Sequence, residues 1–307
     1  MNTESIKIQN IENIHHLLSK YTGCVTILSN KRKGKRIMLK TAGLILNSRN
    51  ESAVRCADRA SSFLSRHGIL SFDPQTQYHT MKPDVIITFG GDGTLLIGAR
   101  YALQYDTPLL GINLGTVGFL TEEDPDHLED ALNALISSNY QIETRSILHI
   151  TNTRSGASFH ALNDAVITRG GYARLIRVDV SVDGKTYGTF TADGMIVATP
   201  TGSTGYSLSA GGPIVEPGVP CMIITPVCPH SMQHCPCIVS EHADICLLLR
   251  KEREQTAELQ IDGKNMGSLT AGDEIHVTGA KKKIRLIRLH FYDFFGLTRR
   301  KLSEWGS

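Results

Sequence analysis

No apolar run in the 307 residues approaches the roughly 18 that a membrane-spanning helix requires. The amino end is polar and lacks the apolar stretch of an export signal. Net charge is almost absent: 32 basic side chains meet 30 acidic ones, leaving +2. That is too little to gather nucleic acid or an acidic membrane surface. Seven cysteines are an odd number, and no C-x2-C pair occurs among them. Cys221, Cys228, Cys235 and Cys237, with His230 and His234, are spaced C-x6-C-x6-C-x-C, which does not match a zinc pattern, so they read as reduced thiols. Fixed-period repeats and low-complexity tracts are missing too. These absences describe a cytoplasmic protein with neither a membrane nor a nucleic-acid partner.

Two familiar phosphate-binding fingerprints are also lacking. There is no G-x-x-x-x-G-K-[ST] loop. Gly111, Gly115 and Gly118 are spaced G-x-x-x-G-x-x-G, which is not the dehydrogenase G-x-G-x-x-G. They read as a close-approach loop leading into Phe119, or as a loop packed only on protein.

What is present is an ordinary globular balance, 41% apolar and 20% charged, over a length that suits two domains. Residues 1–37 stand apart. They hold seven Lys or Arg against two Glu, concentrated in Lys31–Arg36. This segment reads as a solvated basic extension outside the fold, and a 38–307 chain is expected to keep its activity. Met38–Leu46 reads as a first buried strand and Ala53–His67 as a helix stopped by Gly68. Asp84–Phe89 is a second strand, Leu95–Leu103 a helix, Leu109–Asn113 a strand and Asp126–Ile136 a helix. Such alternation implies right-handed crossovers and a parallel sheet. From about Tyr140 short alternating runs take over: Leu175–Val182, Thr186–Phe190, Met195–Thr199, Glu258–Ile261 and Glu274–Thr278. Asp183-Gly184 and Asp262-Gly263 read as hairpin turns between them. The expected fold is an α/β N-terminal domain followed by a β-rich C-terminal domain, with a nucleotide cleft between them.

The sharpest chemical signal is Gly90-Gly91-Asp92-Gly93-Thr94, where a buried strand ends and a helix begins. Glycines there let a backbone approach a bulky ligand, and free N–H groups at a helix start favour phosphate. Asp92 is the odd member, since an anion repels phosphates. It makes sense as the holder of a cation or the acceptor of a proton from an attacking hydroxyl; a strand–helix turn with an Asp cap is the plainer alternative. The second signal is Thr199–Pro213, with six Ser or Thr hydroxyls and four glycines. It can present hydroxyls and N–H groups to a polar ligand, with Tyr206 able to stack on a ring. It runs into Pro213-Ile214-Val215, a sheet-like apolar run. The third signal is Asn163-Asp164, able to pair with an adenine edge and with ribose hydroxyls, or to form a turn. Asp193-Gly194 is a turn by default. His15-His16 and His149 have no partner pattern, and Lys281-Lys-Lys283 reads as a solvated turn.

In order and spacing, Gly90–Thr94, Asn163-Asp164, Asp193-Gly194, Thr201–Gly212 and Thr225–His230 resemble the bacterial NAD kinase family over about residues 38–307. The Ser/Thr/Gly segment is highly specific. Gly-Gly-Asp-Gly-Thr is less so, because lipid kinases related to diacylglycerol kinase share it. The resemblance implies a Rossmann-like, phosphofructokinase-like first domain over 38–143, a β-rich NAD-binding domain over 144–288, and a last segment, about 289–307, that returns to the first. It implies transfer of phosphate from ATP to the 2′-hydroxyl of the adenosine ribose of NAD, giving NADP, with Asp92 as the catalytic carboxylate. Gly90, Gly91, Gly93 and Thr94 would form the phosphate loop. Asp92, Gly93, Asn163, Asp164, Arg174, Thr191, Asp193 and the run Thr204, Gly205, Tyr206, Ser207, Leu208 and Ser209 would contact NAD. The sequence departs from the family in having Asp164 where Glu is usual, Gly205 where Ala is common and Lys264 where Gln is common. The family also implies a homo-oligomer, a dimer or tetramer with shared sites. A lipid kinase and a non-catalytic dinucleotide-binding regulator are the alternatives; the first is disfavoured by Thr201–Gly212, the second by intact Asp92.

Phosphoryl transfer has a loose transition state, so positioning and charge neutralisation dominate. An ordinary Asp, with a pKa of about 3.9, lies far below a sugar hydroxyl. Asp92 is therefore expected to orient the hydroxyl and take its proton late. No Lys follows the glycine-rich turn, so a divalent cation, Mg2+, is expected to supply the positive charge that ATP needs; no protein ligand for it is assigned.

Overall fold

The computed structural model describes residues 39–76, 81–115, 118–121, 123–170, 175–230, 235–251 and 256–305. Residues 1–37 and Arg174 lie outside the described residues, as do the readings made on them.

The first sheet has the order β2-β1-β3-β4-β18-β5. Its strands are β1 (Thr41–Leu46), β2 (Leu70–Phe72), β3 (Val85–Phe89), β4 (Leu109–Ile112), β5 (Gln141–Arg145) and β18 (Ile284–Arg288). All pair in parallel except β5, which runs antiparallel to β18. β3 and β4 are buried along their whole length, because helices cover both faces. Helix α1 (Glu51–Arg66) starts at Asn50, whose side chain accepts from the N–H groups of Ser52 and Ala53. Ala53, Ala57, Ala60 and Leu64 give it one apolar stripe, packed with α3 (Leu128–Ser137) on Leu44, Ile87 and Leu110. Helix α2 (Asp92–Tyr105) packs Leu95, Ala99 and Ala102 on the other face, against Ile45, Ile86 and Leu109.

The remaining strands form two antiparallel sheets, β10-β9-β14-β17-β6-β7 and β13-β12-β11-β8-β15-β16. The first holds β6 (Leu148–Asn152), β7 (Ser158–Ala161), β9 (Ile176–Val182), β10 (Lys185–Ala192), β14 (Ile245–Leu249) and β17 (Glu274–Gly279). The second holds β8 (Asp164–Arg169), β11 (Gly194–Ala198), β12 (Cys221–Val227), β13 (Cys237–Ser240), β15 (Thr256–Ile261) and β16 (Lys264–Thr270). Ile150, Val178, Leu247 and Val277 of one sheet share a core with Ile167, Val197, Ile224 and Leu259 of the other. The fold is thus an α/β layer with a parallel sheet followed by an antiparallel β-rich part. Both Asp-Gly pairs are hairpin turns. Positive φ at Asp183 (51°), Gly184 (73°), Asp262 (47°) and Gly263 (72°) matches the right-handed strand twist.

Pro213–Val215 is not a strand. Val215 is buried, and its N–H donates to Ser203 Oγ at 3.0 Å while its carbonyl accepts from the same hydroxyl at 3.2 Å. The apolar run therefore pins the preceding loop instead of joining a sheet. Among the described residues no helix is long and apolar enough to cross a membrane.

Candidate active site

Strand β3 delivers Gly90 and Gly91 to the start of α2, and Asp92 is the first helical residue. Gly91 caps the helix without a side-chain hydrogen bond, so the helix start stays open to an anion. A Cβ on Gly90, at φ 157°, would collide with Thr94, whereas a Cβ on Gly91 or Gly93 would meet nothing within 4 Å. One glycine of the turn serves the fold; the other two border open space.

The Asp92 carboxylate is held by three backbone N–H groups, of Phe119 (2.8 Å), Leu120 (3.1 Å) and Thr121 (3.3 Å). A Cβ on Gly118 would overlap that carboxylate, and one on Gly111 would press on Leu95 and Thr121. Gly115 alone of these three has open space around it. The second glycine loop is thus chiefly a cradle for Asp92.

Distant residues hold that cradle. Tyr292 Oη donates to the Phe119 carbonyl at 3.3 Å and Arg288 Nη1 to the Leu120 carbonyl at 3.2 Å. Glu143 accepts from Arg288 Nε (2.6 Å) and from Arg145 Nε (2.9 Å). Arg145, 1% exposed, reaches Thr201 Oγ1 at 3.3 Å. Both guanidinium groups lie over the Tyr292 ring, at 5.2 and 4.3 Å. Sequence reading missed all four residues. They connect the Asp92 cradle to the Ser/Thr/Gly segment.

Asn163 and Asp164 sit where β8 begins, beside the Asp262-Gly263 turn that ends β15. The Asp262 carboxylate accepts from the N–H groups of Leu162 (3.0 Å), Asn163 (2.7 Å) and Asp164 (3.2 Å). Asp164 is 6% exposed. Its burial, and then the like charge of Asp262, push its pKa up to about 7. Asp262 is also raised by burial, while its three N–H donors and Arg100 pull the other way. Asn163 Oδ1 is buried without a hydrogen-bond partner, so one acceptor at this strand start awaits a donor.

The Ser/Thr/Gly segment folds as a 3-10 turn, Thr201–Thr204, followed by one helical turn, α4 (Tyr206–Ser209). Several hydroxyls face inward. Thr199 Oγ1 donates to the Leu162 carbonyl at 2.6 Å, and fully buried Ser207 shares a 2.9 Å hydrogen bond with Thr225. The Ser207 side chain is therefore spent on the fold, and only its backbone is left for a ligand. Thr204 Oγ1 donates to the Thr201 carbonyl at 3.3 Å. Leu208 is half-buried, Ser209 is exposed and Tyr206 is 44% exposed. A Cβ on Gly202 would strike the Asn163 carbonyl. Gly205 faces the Asn163 amide, which would lie 3.8 Å from its Cβ. This segment and the Asn163-Asp164 pair therefore form one surface.

Thr191 and Asp193 do not join it. Asp193 lies before β11 and pairs with Arg169 at 2.8 Å, and the Thr191 carbonyl accepts from the His230 N–H at 2.8 Å. Asp164 pairs in register with Ala198, and Thr168 with Gly194. Asp193 thus lies at the opposite end of β8 and β11, roughly 17 Å from Asp164 at about 3.4 Å per residue.

Residues 75–140 match the ATP-NAD kinase N-terminal domain, and residues 162–289 match the ATP-NAD kinase C-terminal domain. A NAD kinase of Geotalea daltonii is 39% identical over 246 residues, covering 79% of this chain and 86% of that one. The chain belongs to the NAD kinase family. Solved structures of the family agree. Yeast NADH kinase complexed with NADH superposes with a TM-score of 0.73 at 28% identity, covering 81% of this chain and 83% of that one. An NAD kinase from Archaeoglobus fulgidus in complex with ATP gives 0.67 at 27% identity, covering 86% and 98%.

Proposed function

We propose that the chain transfers the terminal phosphoryl group of ATP to the 2′-hydroxyl of the adenosine ribose of NAD, giving NADP and ADP. The observation that carries this reading is the Asp92 carboxylate, fixed by three backbone N–H groups at an uncapped helix start between two glycines with open space. Gly90, Gly91, Gly93 and Thr94 frame the donor phosphates there, under the positive end of the helix dipole. Asp92 orients the ribose hydroxyl and accepts its proton as the new P–O bond forms. The partnerless Asn163 Oδ1 takes an adenine amino hydrogen, and Asp164 accepts from ribose hydroxyls. Tyr206 supplies a ring face beside them.

Mg2+ fits this site in a restricted way. A carboxylate offers about four lone-pair positions, and Asp92 has committed three. The ion would be held mainly by the donor phosphates, and Asp92 could offer it the position it has left. When bound, it neutralises charge on the transferring phosphate.

Thr191 and Asp193 complete the NAD site of a second copy, which accounts for their place at the far end of the strands. We therefore expect a homo-oligomer with shared sites, working in the cytoplasm in NADP biosynthesis.

The decisive experiment is a coupled assay for NADP with purified protein, NAD, ATP and Mg2+, with Asp92→Asn as control. NADP formed by wild type alone supports the reading. NAD binding without NADP would overturn it. Mixing inactive Asp92→Asn and Asp193→Asn chains tests sharing: hybrid oligomers should regain part of the wild-type rate, and no recovery after subunit exchange would mean that each site is built from one chain.

A further inference from the structure

The outer face of the β14–β17 pair carries side chains that phosphoryl transfer does not use. Ile245, Leu247 and Leu249 of β14, with Ile275 and Val277 of β17, turn into the core between the two antiparallel sheets. Strands alternate their faces, so Cys246, Glu274 and His276 point the other way, and all three are half-buried. Cys246 pairs in register with His276, which sets their Cβ atoms about 4.5–5.5 Å apart. Glu274 lies on the same face, two positions before His276. β14 and β17 carry none of the residues assigned to the reaction.

Three kinds of donor converge there. The Cys246 Sγ, a Glu274 carboxylate oxygen and a ring nitrogen of His276 all lie within 4.8 Å of one another. Donors that share one tetrahedral ion, each at about 2.0–2.3 Å from it, stand roughly 3.5 Å apart. Small rotations of half-buried side chains close that difference. A thiol, an imidazole and a carboxylate together suit zinc, whereas Mg2+ and Ca2+ take oxygen ligands. Cys246 is a free thiol, and it stands outside the Cys221–Cys237 group whose spacing shows no zinc pattern.

A second feature points the same way. The Asp244 carbonyl accepts from the Asp183 N–H at 2.8 Å, and the Asp244 N–H donates to Asp183 Oδ1 at 2.9 Å. Thus anchored, Asp244 turns both carboxylate oxygens to His276 Nδ1, at 3.0 and 3.1 Å. A carboxylate on one ring nitrogen fixes the orientation and tautomer of a metal-bound histidine, and Nε2 is left to ligate. An ion pair alone would account for Asp244 and His276, but not for Glu274. Its carboxylate has no hydrogen-bond or ion-pair partner among the described residues, although it stands beside the thiol. The arginines on the loops after β14 and β6 are engaged elsewhere: Arg250 pairs with Asp179 at 3.3 Å and Arg154 with Asp273 at 2.6 Å.

We propose that Cys246, Glu274 and His276 bind a zinc-type divalent cation, with water in the fourth position and Asp244 orienting the imidazole. The ligand is the thiolate, so binding moves the Cys246 thiol proton to solvent. The ion ties β14 to β17 across the outer face of their sheet. This site does not rest on the reading of the catalytic activity.

The probe is Co2+ alone, which takes the ligands of Zn2+ and reports a bound thiolate as charge-transfer absorption in the near ultraviolet. Titrated into the full chain, reduced and freed of metal with a chelator, Co2+ should give that band at one equivalent, and added Zn2+ should abolish it. Cys246→Ser should remove the band. Glu274→Gln should weaken Co2+ binding at least tenfold, and Asp244→Asn by about 10–100-fold. Cys228→Ser, at an exposed thiol elsewhere, should titrate as wild type does. The replacements are nearly isosteric and the side chains lie on an outer face, so the variants should fold; melting of the metal-free proteins by circular dichroism checks this. Absence of a thiolate band in wild type would overturn the site. A band that survives Cys246→Ser would put the metal on another cysteine and overturn it equally. Unchanged affinity in Asp244→Asn would remove Asp244 from its orienting role. Should Cys246→Ser fail to fold, Glu274→Gln decides, because its thiol is intact: wild-type affinity there would overturn the three-ligand site.

Discussion

Two carboxylates at the site are held in opposite ways. Asp92 begins a helix, is partly exposed, and accepts three N–H bonds from a loop shaped around it. Asp164 begins a strand, is nearly enclosed, and faces a second aspartate whose own N–H donors are the backbone of the Asn163-Asp164 pair. The first arrangement fixes a charge where a ligand can meet it. The second makes charge costly and leaves a protonation state that a ligand or the pH can change. Residue type alone distinguishes none of this; the donors around each carboxylate do.

The contrast can be broken most severely at Asp92. Asp92→Asn should lower kcat by about 10²–10⁴-fold, the range for losing a positioned base, with the unfolding temperature nearly unchanged. A variant that keeps wild-type turnover would remove Asp92 from the chemistry. Gly118→Ala tests the cradle without touching the carboxylate. Its methyl must displace Asp92, and a displacement near 1 Å is expected to cost on the order of 10²-fold in kcat. If kcat holds while only stability falls, the cradle is merely structural.

Asp164 should give a smaller effect, visible through pH. Its folded pKa is raised to about 7 from 3.8. Below the lower value both folded and unfolded chains are protonated, and burial costs nothing. As pH rises the unfolded chain ionises first, so stability is lost progressively until the folded group also ionises near 7. Asp262 is shifted in the same direction. Melting curves between about pH 4 and 8 should show wild type losing more stability than Asp164→Asn. Over the same window KM for NAD should fall for wild type as the carboxylate forms, and stay flat for the variant. Parallel curves for the two proteins would place the titration elsewhere.

Much of the local structure could be read directly. Val85–Phe89 is a β-branched and aromatic run closed by glycines, and Asp183-Gly184 and Asp262-Gly263 adopt the positive φ that hairpin turns require. Such features depend on near neighbours. The α2 helix began three residues earlier than periodicity suggested, because Asp92 and Gly93 belong to the turn chemically but to the helix geometrically. Leu70–Phe72 escaped notice because three residues hold no period. The Glu143–Arg145–Arg288–Tyr292 group was illegible for another reason. Its members meet Phe119, Leu120 and Thr201 across 56 to 173 positions of sequence, and nothing local marks a buried arginine. The Ser/Thr/Gly segment was legible as a unit but not in detail, since Thr199, Ser203 and Ser207 turn hydroxyls into the protein.

The C-terminal return of the chain bears on its biosynthesis. Strand β18 slots beside β4, and Arg288 and Tyr292 then secure the carbonyls of Phe119 and Leu120. A ribosome adding about 5–20 residues per second releases Asp92 many seconds before these anchors emerge. The nascent chain therefore carries Asp92 in an unfinished loop until β18 and Tyr292 have emerged.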